Sequence, residues 1–211
     1  MRRDLSSRVA MVMRGGLVEL VGALALVLAL ALATPQALAA DWRMDPAGSR
    51  LEFAALFEKT AAPGIFREFD TRLRFDPGKP AEGRLEVSIR VSSADMNSGD
   101  INNGIRGAEW FDFARHPQAE FRSTEIRRIE GNRYVARGLL TLKGVQQAVE
   151  VPFGWSPLPA AAGSKSAQAT MEGEFSLRRG AFGIGSGEWA ATSVIGAEVR
   201  IKFRVRLRSD G

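Results

Sequence analysis

The chain has 211 residues, 29 Lys and Arg against 24 Asp and Glu, a formal charge of +5, one histidine and no cysteine. Without thiols it forms no disulfide, no thiolate-held iron–sulfur cluster and no thiolate zinc site, so the fold rests on burial and hydrogen bonding alone. The charge excess is mild and carries no nucleic-acid signature.

The N-terminal segment places Arg2, Arg3, Arg8 and Arg14 ahead of an apolar run from Leu20 to Ala33, followed by Pro35 and Ala37-Leu38-Ala39-Ala40. Positive, then apolar, then small is the order of a secretory signal, with cleavage expected after Ala39. The apolar run, roughly 14 residues, falls short of the ~20 that span a bilayer as a helix. Residues 1–39 are therefore expected to be a signal peptide and residues 40–211 one folded domain. Taking the segment's four arginines and two acids away leaves a charge of +3.

Downstream, period-two alternation dominates, the pattern of strands with one dry and one wet face. A weak strand is expected near 50–58. Phe69, Thr71, Leu73 and Phe75 alternate with charged residues until Asp76-Pro77-Gly78 signals a turn. Leu85, Val87, Ile89 and Val91 form the next dry face. The segment 101–114 lacks the alternation, and with Ile105, Trp110, Phe111 and Phe113 it is expected to be a short helix ending before His116-Pro117. Weaker strands follow at 118–129 and 133–142, with hairpin turns at Glu130-Gly131-Asn132 and Lys143-Gly144. Val145, Gln147, Val149, Val151, Phe153 and Trp155 share a face, where Pro152 marks an irregular or edge position. A flexible loop is expected at 157–166. Ala169, Met171, Gly173, Phe175 and Leu177 then share a face, and in the last strand Val199, Ile201, Phe203, Val205 and Leu207 oppose Arg200, Lys202, Arg204, Arg206 and Arg208.

No long amphipathic helix exists to cover these dry faces, so the sheet must close on itself or fold into a sandwich. Eight antiparallel strands suit an all-β barrel whose interior is either filled by side chains or roomy enough for one small ligand. The stretch from Val199 to Leu207 extends roughly 30 Å at ~3.4 Å per residue, which favours a chain-like guest.

Catalytic signals are weak. His116 has no nucleophile near it in sequence, and the bland reading is a structural or surface histidine. Asp95 and Asp100 near Asn97 and Asn102 lack the ligand spacing and mid-loop glycine of a calcium loop. Gly183-Ile184-Gly185-Ser186-Gly187-Glu188 fails G-x-G-x-x-G at Glu188 and G-x-S-x-G at Ile184, so its glycines read as backbone freedom before Trp189. No metal, cofactor or enzymatic activity is expected. The basic stripe on the last strand is most simply a solvated face that deters edge pairing, and contact with an anionic membrane surface is the sharper alternative.

The residues resemble the YceI-like family over nearly the whole mature chain. The resemblance is carried by Gly64-Ile65-Phe66-Arg67-Glu68-Phe69, Ile105-Arg106-Gly107-Ala108-Glu109-Trp110-Phe111-Asp112, His116-Pro117-Gln118-Ala119-Glu120-Phe121, Gly138-Leu139-Leu140-Thr141-Leu142-Lys143-Gly144-Val145, and Phe182-Gly183-Ile184-Gly185 with Glu188-Trp189. It implies an eight-stranded lipocalin-like barrel with one short helix, exported to the periplasm, that binds a polyisoprenoid or other long-chain, fatty-acid-like lipid. Two stretches depart from it: Ile101-Asn102-Asn103-Gly104 stands where many members carry Arg-Asp-x-His, and Phe57-Glu58-Lys59 where many carry a histidine.

The residues expected to line a lipid slot are Phe53, Phe57, Phe69, Phe75, Val87, Ile89, Trp110, Phe111, Phe113, Phe121, Phe153, Trp155, Phe175, Phe182, Trp189 and Phe203. Asp95, Asn97 and Asn102 are expected at its mouth. Partners would be the lipid, a transient membrane-surface contact and no nucleic acid, with a homodimer left open. The rival reading is a barrel packed solid that serves as a structural or interaction module docking on the membrane or a membrane partner.

Overall fold

The computed structural model describes residues 40–159 and 166–209. The expected signal peptide and the middle of the 157–166 loop lie outside the described residues. In chain order the strands are β1 (Ala40–Phe57), β2 (Thr60–Phe66), β3 (Phe69–Phe75), β4 (Arg84–Arg90), β5 (Ala94–Asp95), β6 (Gln118–Glu130), β7 (Arg133–Leu142), β8 (Val145–Leu158), β9 (Gln168–Arg178) and β10 (Ile195–Ser209). Among the described residues one α-helix, α1 (Gly99–Gly104), lies between β5 and β6.

Every pairing is antiparallel, and β10 returns to pair with β1, from Trp42↔Ser209 to Phe57↔Ile195. β2 and β3 pair with opposite halves of β1 and act as one strand broken at Arg67-Glu68. β4 pairs with β3 and β5 with β2, so that β4 and β5 form a second broken strand. Counted this way, the closed ring has the expected eight staves.

The first ten residues of β1 and all of β2 were illegible in sequence for definite reasons. β1 begins ten residues earlier than expected, because Pro46-Ala47-Gly48-Ser49 reads as a turn but is a bulge in the β1–β10 ladder between Asp45 and Arg50. There the Ser49 hydroxyl donates to the Asp45 carbonyl at 2.7 Å. The β1–β2 hairpin turns on Glu58 (φ 47°) and Lys59 (φ 69°), both left-handed without a glycine to announce it. The Lys143-Gly144 turn, with both φ positive, and the turn at Gly131 were legible for the opposite reason.

The expected helix over 101–114 is corrected to Gly99–Gly104, capped by Ser98, whose side chain accepts from the Ile101 N–H. Trp110, Phe111 and Phe113 lie instead in a run of turns, with Asp112 left-handed at φ 52°. Pro152 sits opposite Val135 in the β7–β8 ladder, and the β8–β9 ladder is confined to Gly154–Leu158 with Glu172–Gln168. The missing N–H of Pro152 therefore lies where β8 and β9 are not in register.

Burial along each strand changes from one end of the barrel to the other. On β10, Leu207 and Val205 are fully buried, whereas Ile201 and Val199 on the same face are half-buried. The same gradient runs from Trp155 to Val145 on β8 and from Met171 to Leu177 on β9. At the buried end Phe75 packs edge-on against Tyr134, Trp155 and Phe153 at 5.0, 5.1 and 5.9 Å between ring centres. Trp42 crosses Trp155 at 4.9 Å and donates its indole N–H to the Phe75 carbonyl at 3.1 Å. This end is solid and the other is hollow.

Emptying the solid end should be costly. Phe75→Ala is expected to lower the unfolding free energy by about 3–5 kcal/mol in urea titration. Arg204→Glu on the outer face, which removes only the exposed pair with Glu172, should cost no more than about 1 kcal/mol.

Candidate functional site

Half-buried inward side chains in a closed barrel face either water or an internal space, and here they face a space. A chamber of about 540 Å³ opens at the end formed by the β1–β2 turn, α1 and the start of β10. A narrower extension of about 120 Å³ continues inward, and the two share Phe66, Leu142, Leu177 and Ile201 in their walls. The larger volume falls in the range of small-molecule sites, roughly 300–1,000 Å³.

The expected lining residues divide between these spaces and other places. Phe53, Phe57, Trp110, Phe111, Phe182 and Trp189 line the outer chamber. Phe69, Val87, Ile89, Phe121, Phe175 and Phe203 line the extension. Phe75, Phe153 and Trp155 belong to the solid end, below the hollow. Phe113 stacks on Phe111 at 6.1 Å, behind the chamber wall.

Of the three polar residues expected at the mouth, Asp95 and Asn102 bond side chain to side chain and Asn97 joins them through its backbone. Asp95 accepts from the Asn97 N–H at 2.8 Å, from the Asn102 side-chain amide at 2.9 Å and from Arg67. Asn102 in turn accepts from the Met96 N–H at 2.8 Å. Asp95 and Asn97 line an open outer groove with Arg50, Glu52, Glu174 and Arg200, separate from the apolar chamber. Hydrogen bonds from Asn102, then Arg67 and the Asn97 backbone, hold the Asp95 carboxyl down to about 2.

Sequence reasoning missed Arg179. It continues the inward parity of Ala169 through Leu177, which was the available signal, and it lines the chamber while only 5% exposed. All five of its N–H groups are used: Nε donates to Gly196 O (3.0 Å), Nη1 to Ile184 O and Gly185 O (3.0 and 2.7 Å), and Nη2 to Trp189 O and Ile195 O (2.8 and 3.0 Å). Burial lowers its pKa from the ordinary value, and a guanidinium starting so high stays charged. One side chain thus fixes the segment 184–196 over the chamber. The Ile105–Arg115 turns meet that segment from the other side. Gly185 and Ser186 donate their N–H groups to the Glu109 carbonyl at 2.8 and 3.0 Å, and Trp110 lies 5.8 Å from Trp189. Lys143 donates to Gly183 O at 2.6 Å, with its pKa lowered by desolvation. His116 packs under the β7–β8 turn, where a Cβ on Gly144 would press its ring.

A closed antiparallel barrel, solid at one end and opening at the other into an apolar chamber under a pinned cover, is a lipocalin-like barrel. The chain belongs to the YceI-like family, whose YceI-like domain matches residues 42–207. It is 34% identical over 116 residues to a protein of Photorhabdus laumondii, covering 54% of this chain and 60% of that protein. To an Azotobacter vinelandii relative it is 33% identical over 144 residues, 64% of this chain and 71% of the relative. The solved structure of Burkholderia cenocepacia BcnA superposes with a TM-score of 0.71 at 34% identity, over 77% of this chain and 98% of that one. A polyisoprenoid binding domain from Saccharophagus degradans shares the fold at a TM-score of 0.58 and 14% identity, over 82% and 99% of the two chains.

Two outcomes test the site's wiring. In Arg179→Lys a three-donor ammonium cannot serve five carbonyls. Amide exchange at Gly185 and Ser186 should then accelerate by about tenfold or more, while amides of Tyr134–Ala136 at the solid end keep their protection. In Asn102→Ala the Asp95 carboxyl should titrate closer to the ordinary value of about 3.9. Because the folded pKa is depressed, the stabilisation linked to Asp95 is complete above about pH 4 and is lost as pH falls through about 2. Carboxyl NMR titration should therefore show the shift, and the variant's stability should fall less steeply over that window.

Proposed function

We propose that this protein is an exported, periplasmic carrier or store for a long-chain amphiphile, an isoprenoid or a comparable lipid, held tail-inward in the barrel. The observation that carries the reading is the gradient along the strands. The same inward faces that pack solid around Phe75 stand apart around Ile201 and Leu177, where they enclose an apolar, elongated space. Among the described residues, Asp100 and Arg179 are the only charged ones in its walls.

Energetics favour a chain-like guest. Each five-carbon unit kept from water is worth about 4 kcal/mol at ~0.8 kcal/mol per carbon group, so such molecules do not cross an aqueous compartment alone. The walls along β10 run from Ile195 to Val205, roughly 30 Å along the strand. The Saccharophagus degradans polyisoprenoid binding domain has the same fold. Export rests on the order of charges and apolar residues before Ala40.

Solvent extraction of the purified protein followed by mass spectrometry should recover a long-chain lipid, and adding a polyprenol to the delipidated protein should raise its Tm. Phe203→Asp, which puts a carboxylate in the wall, should abolish retention, and Arg204→Glu one residue away on the outer face should keep it. If no lipid is recovered and no long-chain alcohol or acid shifts the Tm, the chamber is not a lipid site.

A further inference from the structure

Among the described residues seven large apolar side chains are exposed, and five of them surround the chamber's mouth. Leu56 and Phe57 end β1, Ile101 lies on α1, Trp189 lies in the 3₁₀ turn Gly187–Ala190, and Val194 precedes β10. Their exposures run from 36% for Trp189 to 50% for Leu56. The Val194 carbonyl accepts from the Glu58 N–H at 2.8 Å, which holds it beside the β1–β2 turn. Scattered exposed apolar residues are normal on a protein surface. Five drawn from four separate elements to one opening are not scattered.

We propose that this rim docks on the interfacial layer of a lipid bilayer, and that cargo passes between bilayer and chamber through the contact. The inference rests on the lipid-carrier reading for its purpose, though not for its test. Leu56, Phe57, Ile101 and Trp189 are wall and rim at once, so a hydrocarbon chain leaving a membrane there would meet apolar surface without a step through water. A tryptophan at such a boundary suits the interface, where its ring is buried and its N–H stays wet.

Charge on the same segments points to the kind of membrane. Lys59 and Arg106 stand against Glu58, Asp100 and Glu188, so the rim has no positive excess to seek anionic lipid. The basic stripe of β10 is not the better candidate, since Arg200 and Arg204 are engaged by Glu174 and Glu172 of β9. A second copy of the chain is a poorer occupant than a bilayer. Stable interfaces bury about 1,200–2,000 Å², and side chains protruding around a hole offer an annulus, whereas a soft surface can fill it.

The test is vesicle flotation with the processed chain, its N-terminus verified by mass spectrometry so that residues 20–33 cannot themselves partition. The protein should float with phosphatidylcholine vesicles, and to the same extent from about 0.05 to 0.5 M salt, because insertion and not charge holds it. Phe57→Ser with Ile101→Ser should lower the floated fraction about tenfold by taking two apolar side chains out of the interface. Ile129→Ser with Leu139→Ser, which removes the two exposed apolar residues away from the mouth, should leave it unchanged. Any of four results overturns the proposal: no flotation, equal loss from both pairs, flotation only on anionic vesicles at low salt, or a solution dimer that the mouth pair dissolves. Flotation by a protein that takes up no lipid would leave docking standing and remove the carrier reading, and cargo uptake without flotation would do the reverse.

Discussion

The ladder between β1 and β10 is the constraint on which the rest of the molecule depends. It joins the first and last strands of the described chain along nearly their full lengths, from Trp42↔Ser209 to Phe57↔Ile195, and so removes the open edges that a sheet of this size would otherwise expose. Once the ring is closed, strand parity leaves only two places for a side chain, inside or outside. Leu51 faces Phe203 and Phe53 faces Ile201 across this ladder. Their neighbours Arg50, Arg200, Lys202 and Arg204 are sent outward by the same alternation.

What fills the inside differs by end, and the difference is how closely the inward rings approach one another. At the solid end four rings, of Phe75, Tyr134, Phe153 and Trp155, converge with Trp42, and edge-to-face and stacked contacts fill the space between them. Toward the mouth the inward side chains of β8, β9 and β10, Val149, Phe175, Leu177, Ile201 and Phe203, line the hollow without filling it. Gly64 serves the same geometry from β2, since a Cβ there would overlap the Phe53 ring that lies over it.

The cover of the chamber is built differently from the barrel. It has little regular structure, so its backbone polar groups must find partners one by one. Arg179 supplies five of them from a single buried guanidinium, and the Glu109 carbonyl accepts two N–H groups from the facing segment. A buried cation with carbonyl partners and, among the described residues, no carboxylate within ion-pair distance is an expensive way to hold a loop. Five hydrogen bonds to carbonyls of Ile184, Gly185, Trp189, Ile195 and Gly196 offset that cost.

Period-two alternation by itself determined the class of fold, the eight staves, the inner and outer faces of β3, β4, β8, β9 and β10, and the absence of a helical layer. Such periodicity is local, and the steric rule behind it survives any arrangement of partners. Tertiary structure decided everything that depends on what lies across the barrel. Phe75, Phe153 and Trp155 have the same inward parity as Phe175 and Phe203, and only their axial position separates a plug from a wall. The β1–β2 hairpin was hidden because Glu58 and Lys59 adopt left-handed backbone without a glycine. Arg179 was hidden because a charge on an inward position reads as the end of a strand until five carbonyls of the segment that follows are brought around it.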